Sequence, residues 1–115
     1  MKRLILEMGS GVDLYGKDYT KAAARALEST LRGSSLTIFK SLNLSHEIME
    51  VKVTIGVQEP ERLDAETIRA KIPRGRGAVS VVFGGQNINH ADGSITVVAS
   101  CAVEAFVPEL PFCAA

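Results

Sequence analysis

The sequence predicts an α+β protein in which a four-stranded mixed sheet carries helices on one face. Three observations lead to this fold class. Met49 to Gln58 alternate between apolar and polar residues, Ala78 to Phe83 form a nearly continuous apolar run, and Tyr19 to Leu31 repeat with helical spacing. A period of two is typical of a half-buried strand, and a period near 3.6 is typical of an amphipathic helix. The predicted order is β-α-β-α-β-β, ending in an antiparallel hairpin.

The first strand is predicted over Arg3 to Met8 and is followed by the glycine-rich stretch GSGVDLYGKDYTKAA. The helix after this stretch ends at Gly33, a residue that favours helix C-termini. Its apolar face is mostly alanine, so we expect the helix to lie close to the sheet or to a partner subunit. This face comprises Tyr19, Ala22, Ala23, Ala26, Leu27 and Leu31.

The second half of the chain holds the remaining elements. Residues 34–47 fit either a short helix or an edge strand, and we favour the helix. A further helix is predicted between Asp64, which caps it, and Pro73, which ends it. The apolar run Ala78 to Phe83 is predicted to be a central strand. A turn rich in glycine and asparagine then leads to a long last strand, Ser94 to Val107.

The composition predicts a single domain over residues 1–115, large enough for one core. The 13 basic and 13 acidic residues balance, which argues against nucleic acid or an anionic membrane surface as the main partner. No stretch approaches the ~20 apolar residues of a membrane span. Because only two cysteines occur, we expect a cytoplasmic protein with reduced thiols.

The last strand predicts a homo-oligomer because it is apolar on both faces. Helices in a chain of this length can cover only one side of the sheet, so the other side needs another subunit. One face of the strand carries Ile95, Val97, Ala99, Cys101, Val103 and Val107, and the other carries Val98, Ala102 and Phe106.

The order of elements resembles the chorismate-mutase-like and tubulin-C-terminal-domain-like group of small α+β folds. This resemblance implies a trimer or a larger ring in preference to a dimer. It does not imply an activity, because one fold hosts many functions.

The glycine-rich stretch is the strongest functional signal in the chain. A strand that breaks on closely spaced glycines and then opens a helix leaves backbone N–H groups unpaired, and the helix dipole adds positive charge there. Such a turn favours an anion. We expect Gly9 or Gly11 either to adopt a positive φ or to lie too close to neighbouring backbone for a Cβ.

Two nucleotide-binding motifs come close to this stretch and are rejected. Gly11 to Lys17 fits GxxxxGK, but Asp18 stands where a P-loop needs serine or threonine for Mg²⁺. The dinucleotide fingerprint GxGxxG fails because Leu14 replaces its third glycine.

The same stretch resembles a small family of conserved hypothetical proteins of unknown function, named for an open reading frame in Listeria. The family is marked by GxGxDxHG, which here reads GSGVDLYG with Tyr15 in place of the histidine. The resemblance covers essentially the whole chain and implies a shared fold and site position. A phenol titrates near pH 10 and an imidazole near 6.5, so Tyr15 leaves the chemistry of the site open.

These observations predict a small anionic molecule at the Gly9–Lys17 turn, held by backbone N–H groups and basic side chains. Asp13 is the candidate acid or base, and we expect its carboxylate to point into a cleft near Lys17, Arg74 or Arg76 rather than only to cap its own helix. Whether the protein is an enzyme stays open. The predicted ligand-binding residues are Gly9, Ser10, Gly11, Tyr15, Gly16, Lys17, Arg74 and Arg76.

The alternative is a non-catalytic assembly or scaffold module whose glycine turn only closes a tight corner. His90 and Asp92 are interpreted as turn residues, although a His-x-Asp pair could also bind a metal or move a proton. Cys101 is interpreted as a small buried hydrophobe. CxxC, HExxH and GxSxG are absent from the sequence, so nucleophilic catalysis and tight zinc binding have no support. No cofactor and no metal site is predicted.

Overall fold

A computed structural model describes residues 2–32, 50–72 and 76–107. In these ranges the chain forms a five-stranded mixed sheet with two α-helices, which confirms the predicted α+β class. The strands are β1 (Lys2–Asp13), β2 (Glu50–Val57), β3 (Arg76–Phe83), β4 (Gln86–Asn89) and β5 (Ile95–Val107). The helices are α1 (Tyr19–Arg32) and α2 (Ala65–Arg69), and a 3-10 turn covers Pro60–Arg62.

The long strand β5 organises the sheet. It runs antiparallel to β1 on one side and to β2 on the other, and β2 pairs in parallel with β3. The prediction of four strands was wrong by one. The short strand β4 forms a hairpin with the start of β5, inside the stretch that was predicted to be only a turn.

The first strand is longer than predicted, because it does not end at Met8 but continues through the glycines to Asp13. Gly9 pairs with Cys101 and Gly11 pairs with Ala99 in the ladder with β5. The turn between β1 and α1 therefore consists only of Leu14 to Asp18.

The predicted central position of the third strand was also wrong. In the described part of the chain β3 pairs with β2 alone and lies at an edge of the sheet. Its apolar run spans both sheet faces, so Val82 and Phe83 remain largely exposed. An apolar run therefore did not indicate burial on both sides here.

The main core lies between α1 and one face of the sheet. The buried residues of this face alternate along β2 and β5, as the pattern in β2 predicts, and α1 packs mainly on β1 and β5. A Cβ on Gly11 would collide with the backbone of Ala22 and Ala26, and one on Gly9 would collide with the Thr30 hydroxyl. The expected close approach to neighbouring backbone is thus confirmed at Gly11, whereas Gly9 is limited mainly by the Thr30 side chain, and neither glycine has a positive φ.

The opposite face of the sheet, which we call the open face, has no helix packed on it among the described residues. The strand register brings apolar side chains of three strands onto this face, where they alternate with polar side chains that include Ser10, Lys52, Thr54, Ser80, Ser100 and Glu104. The apolar residues include Leu6, Met8, Val82, Val98, Ala102 and Phe106.

The second helix begins where the sequence predicts. Asp64 caps it by accepting a hydrogen bond from the backbone N–H of Glu66 at 3.1 Å. Ile68 on its inner side is fully buried. The short helix predicted within residues 34–47, and the predicted stops at Gly33 and Pro73, lie outside the described residues. No helix in the described ranges is long and apolar enough to cross a membrane.

Candidate functional site

The turn between β1 and α1 is closed by a buried carboxylate. The side chain of Asp13 is 7% exposed, and its Oδ2 accepts a hydrogen bond from the backbone N–H of Asp18 at 2.9 Å. Gly16 lies directly above this group, since a Cβ on Gly16 would stand 3.0 Å from Oδ2. The turn therefore folds over its own carboxylate.

Asp18 is the N-terminal cap of α1. Its Oδ1 accepts from the backbone N–H of Lys21 at 3.0 Å, and its carbonyl accepts from Ala22 at 3.1 Å. An aspartate just before the first apolar position of a helix is a capping signal. Because carboxylates of the chain already engage N–H groups at this end of the helix, a ligand would depend more on side chains than the sequence predicts.

Two basic residues of α1 lie beside Asp13. Its Oδ1 is 3.7 Å from Nη1 of Arg25 and 4.0 Å from Nζ of Lys21. Arg25 also donates from Nη1 to the carbonyl of Val12 at 2.7 Å, which ties the helix to the end of β1. Both basic side chains are about half-exposed.

A cavity of about 370 Å³ adjoins this turn. Its volume is within the range of small-molecule sites. The cavity is lined by Asp13, Leu14, Tyr15, Gly16, Asp18, Lys21 and Arg25.

Lys17 belongs to a second polar cluster, on the other side of the N-terminus of α1. It has φ 50°, a left-handed conformation that is uncommon outside glycine, and its Nζ lies 3.1 Å from Oε2 of Glu59. The buried phenol of Tyr19 donates to the same carboxylate. Nδ2 of Asn87 donates to the phenol oxygen at 2.8 Å. This cluster joins the turn, α1, the Pro60–Arg62 segment and β4.

The second cluster predicts a pH dependence of stability. The hydrogen bond from Tyr19, followed by the contact with Lys17, lowers the pKa of Glu59 below its ordinary value. A carboxyl whose pKa is depressed by folding stabilises the native state above its unfolded pKa and loses this effect as the pH falls through its folded pKa. We expect the difference in unfolding free energy between the wild type and Glu59→Gln to shrink from about pH 7 to about pH 3 in urea titrations. A difference that stays constant over this range would contradict the assignment.

The β4–β5 hairpin contacts the turn between β1 and α1 through Thr96. The hydroxyl of Thr96 donates to the carbonyl of Leu14 at 3.1 Å and lies 2.6 Å from Nε2 of His90. Since a threonine hydroxyl carries one proton, Nε2 of His90 must be the donor to Thr96. Asp92 accepts from the backbone and the hydroxyl of Ser94, and the hydrogen bond from the hydroxyl is the main cause of its lowered pKa.

His90 and Asp92 thus have the structural contacts of turn residues. No cluster of three or more His, Cys, Asp or Glu side chains in residues 2–32, 50–72 and 76–107 is arranged to hold a metal ion. Cys101 is a buried free thiol whose pKa is raised by desolvation.

The structure separates the predicted site residues. Tyr15 and Gly16 lie in the turn with Asp13, whereas Gly9, Ser10 and Gly11 lie within β1. Lys17 pairs with Glu59 and is not paired with Asp13. Arg74 lies outside the described residues, and Arg76 opens β3.

The sequence places Lys21 and Arg25 on the polar face of the helix, and Lys21 was considered as a charge partner for an anion, but neither was among the predicted ligand-binding residues. Their i, i+4 spacing in the first two turns after the glycine-rich stretch was the available signal.

The fold defines a small α+β protein of the tubulin-C-terminal-domain-like kind. The chain belongs to the conserved hypothetical protein family Lin0512_fam, which matches residues 3–105. A similar crystal structure is that of an FtsZ-like protein of unknown function from Nostoc punctiforme PCC 73102. That protein is 30% identical, with a TM-score of 0.76, over 94% of this chain and 97% of that chain. No curated protein matches the chain.

Proposed function

We propose that this protein binds a small anionic molecule in the cavity beside the Leu14–Asp18 turn and that it does so as a cytoplasmic homo-oligomer. The observation that carries the proposal is that this cavity adjoins the turn and is lined by two basic side chains, while the two carboxylates in its lining, Asp13 and Asp18, already accept hydrogen bonds from backbone N–H groups. The cytoplasmic location rests on the low cysteine content and on the free thiol of Cys101.

The charge arrangement favours recognition through side chains. A guanidinium has five N–H donors and an ammonium has three. One donor of Arg25 is used by the Val12 carbonyl, and Lys21 and Arg25 lie 3.7–4.0 Å from Asp13, beyond ordinary hydrogen-bond distance. Donors of both residues therefore remain for a carboxylate or phosphate in the cavity.

Asp13 has two roles in this proposal. Its buried carboxylate orients the two basic side chains, and it is the acid or base if the bound molecule is also processed. Oδ2 is held by the Asp18 N–H, so Oδ1 is the oxygen that would exchange a proton. Gly9 and Gly11 contribute by letting α1 lie close to β1, which brings Arg25 to the end of the strand.

Thermal unfolding in the presence of a library of carboxylated and phosphorylated metabolites tests the proposal. A ligand at ten times its Kd stabilises the native state by about 1.4 kcal/mol, which corresponds to a rise in Tm of roughly 5–8 °C. We expect this rise to be lost in Lys21→Gln and in Arg25→Gln. Arg69→Gln is the matched control, because Arg69 is as exposed as Lys21 and has its own carboxylate partner on α2.

The outcome of that experiment separates two classes of function. A ligand response that is equal in all four proteins, or no response to any anion, would remove the site. The second candidate, a non-catalytic assembly module, would then be favoured. It draws support from Gly9 and Gly11, which have a packing role in β1, and from the apolar side chains on the open face.

A further inference from the structure

Two large apolar side chains stand exposed on the same turn. Leu14 is 54% exposed and Tyr15 is 76% exposed. The two residues are adjacent in sequence, and both line the cavity with Lys21 and Arg25. Single exposed apolar residues are ordinary on protein surfaces. Here, however, a leucine and a tyrosine share a concave surface with two basic groups. Tyrosine and arginine are the residue types enriched where binding energy is concentrated.

The backbone that presents these side chains is fixed from several directions. The carbonyl of Leu14 accepts from Thr96, the N–H of Asp18 donates to Asp13, and Lys17 is held in its left-handed conformation beside Glu59. A site on a backbone that is already held loses less conformational entropy when it binds. The exposed pair is therefore a preorganised surface.

The two chemistries of the cavity suggest the class of ligand. Lys21 and Arg25 suit a carboxylate or phosphate, and the ring of Tyr15 with the side chain of Leu14 suits a flat apolar group. We propose that the cavity binds an aromatic anion, whose acidic group contacts Lys21 and Arg25 and whose ring lies against Tyr15 and Leu14. This inference rests on the proposed function and narrows its ligand class.

Isothermal titration with phenyl phosphate and methyl phosphate tests the inference, because the two probes carry the same anionic group. We expect phenyl phosphate to bind about tenfold more tightly to the wild type. Tyr15→Ala should abolish this preference, and Tyr15→Phe, which keeps the ring, should retain it. Phe83→Ala is the control for loss of an exposed aromatic side chain elsewhere, and it should keep the preference.

Each other result overturns a specific claim. Equal binding of the two phosphates to the wild type would leave the anion site in place and refute the aromatic preference. If neither phosphate binds the wild type more tightly than it binds Arg25→Gln, the anion site and this inference are both refuted. A change in molecular mass in Tyr15→Ala would assign Tyr15 to a subunit contact, and the inference would fall.

Discussion

Gly11→Ala should be among the most destabilising single substitutions in this protein. A Cβ at position 11 would overlap the amide nitrogen of Ala26 and the carbonyl oxygen of Ala22, and it would stand 2.7 Å from the carbonyl carbon of Arg25. All three are backbone atoms of α1, so no side-chain rotation can relieve the collision. We expect a loss of about 3 kcal/mol or more, measured by urea denaturation, or a failure to accumulate folded protein.

Gly77→Ala is the matched control for this prediction. Gly77 also lies in a strand on the helix-covered face, but its Cβ would crowd only the terminal carbon of Ile72, at 2.6 Å. A flexible side chain can move away, so the loss should stay below about 1 kcal/mol. Equal losses in the two variants would show that the helix is free to shift from β1, and the account of the glycines would be wrong.

Gly9 and Gly11 also show where reasoning from the sequence succeeded and where it failed. The close approach was predictable, because two closely spaced glycines precede a helix whose apolar face is mostly alanine, including Ala22 and Ala26. The two glycines were predicted in a turn but lie within β1, because glycine is typical of turns as well as of close backbone contacts. Spacing of i and i+2 puts both glycines on one face of a strand, and this was the signal that favoured extension to Asp13.

The sheet order depends on pairings that local patterns do not encode. Alternation in β2 predicted its two faces correctly, since Val51, Val53, Ile55 and Val57 are all buried. The apolar run of β3 predicted a strand correctly but not its position, because an apolar run does not encode which strands lie on either side of it.

Some of the predicted site residues lie together in the structure and others do not. Asp13, Tyr15 and Gly16 do line one cavity, as the glycine-rich motif suggested. Its basic residues are Lys21 and Arg25, because one helical turn brings positions i and i+4 of α1 back over the end of β1. Lys17 is turned away by its left-handed backbone and its contact with Glu59. A pairing of that kind depends on the tertiary fold and cannot be derived from spacing.

The open face of the sheet leads to the second large expected effect, which is on the molecular mass of the protein in solution. The open face presents Met8 at 74% exposure, with Leu6 and Val82 also exposed, and the net charge is zero. Exposed apolar side chains on a sheet face that no described helix covers favour association of a neutral chain, and closed symmetric assemblies are its usual form. We propose a homo-oligomer joined through the open face, with a trimer or larger ring favoured. Light scattering at micromolar concentration should give a multiple of the 12.3 kDa chain mass.

Met8→Glu tests whether the open face is the contact between subunits. A carboxylate placed on the open face would have to be desolvated in the assembly without a partner, so we expect the variant to dissociate toward 12.3 kDa. Ser29→Glu adds the same charge on the exposed side of α1 and should leave the mass unchanged. Dissociation by Ser29→Glu alone would show that the subunits meet through α1 and not through the open face. A wild-type mass of 12.3 kDa would refute the assembly and leave the open face without an explanation.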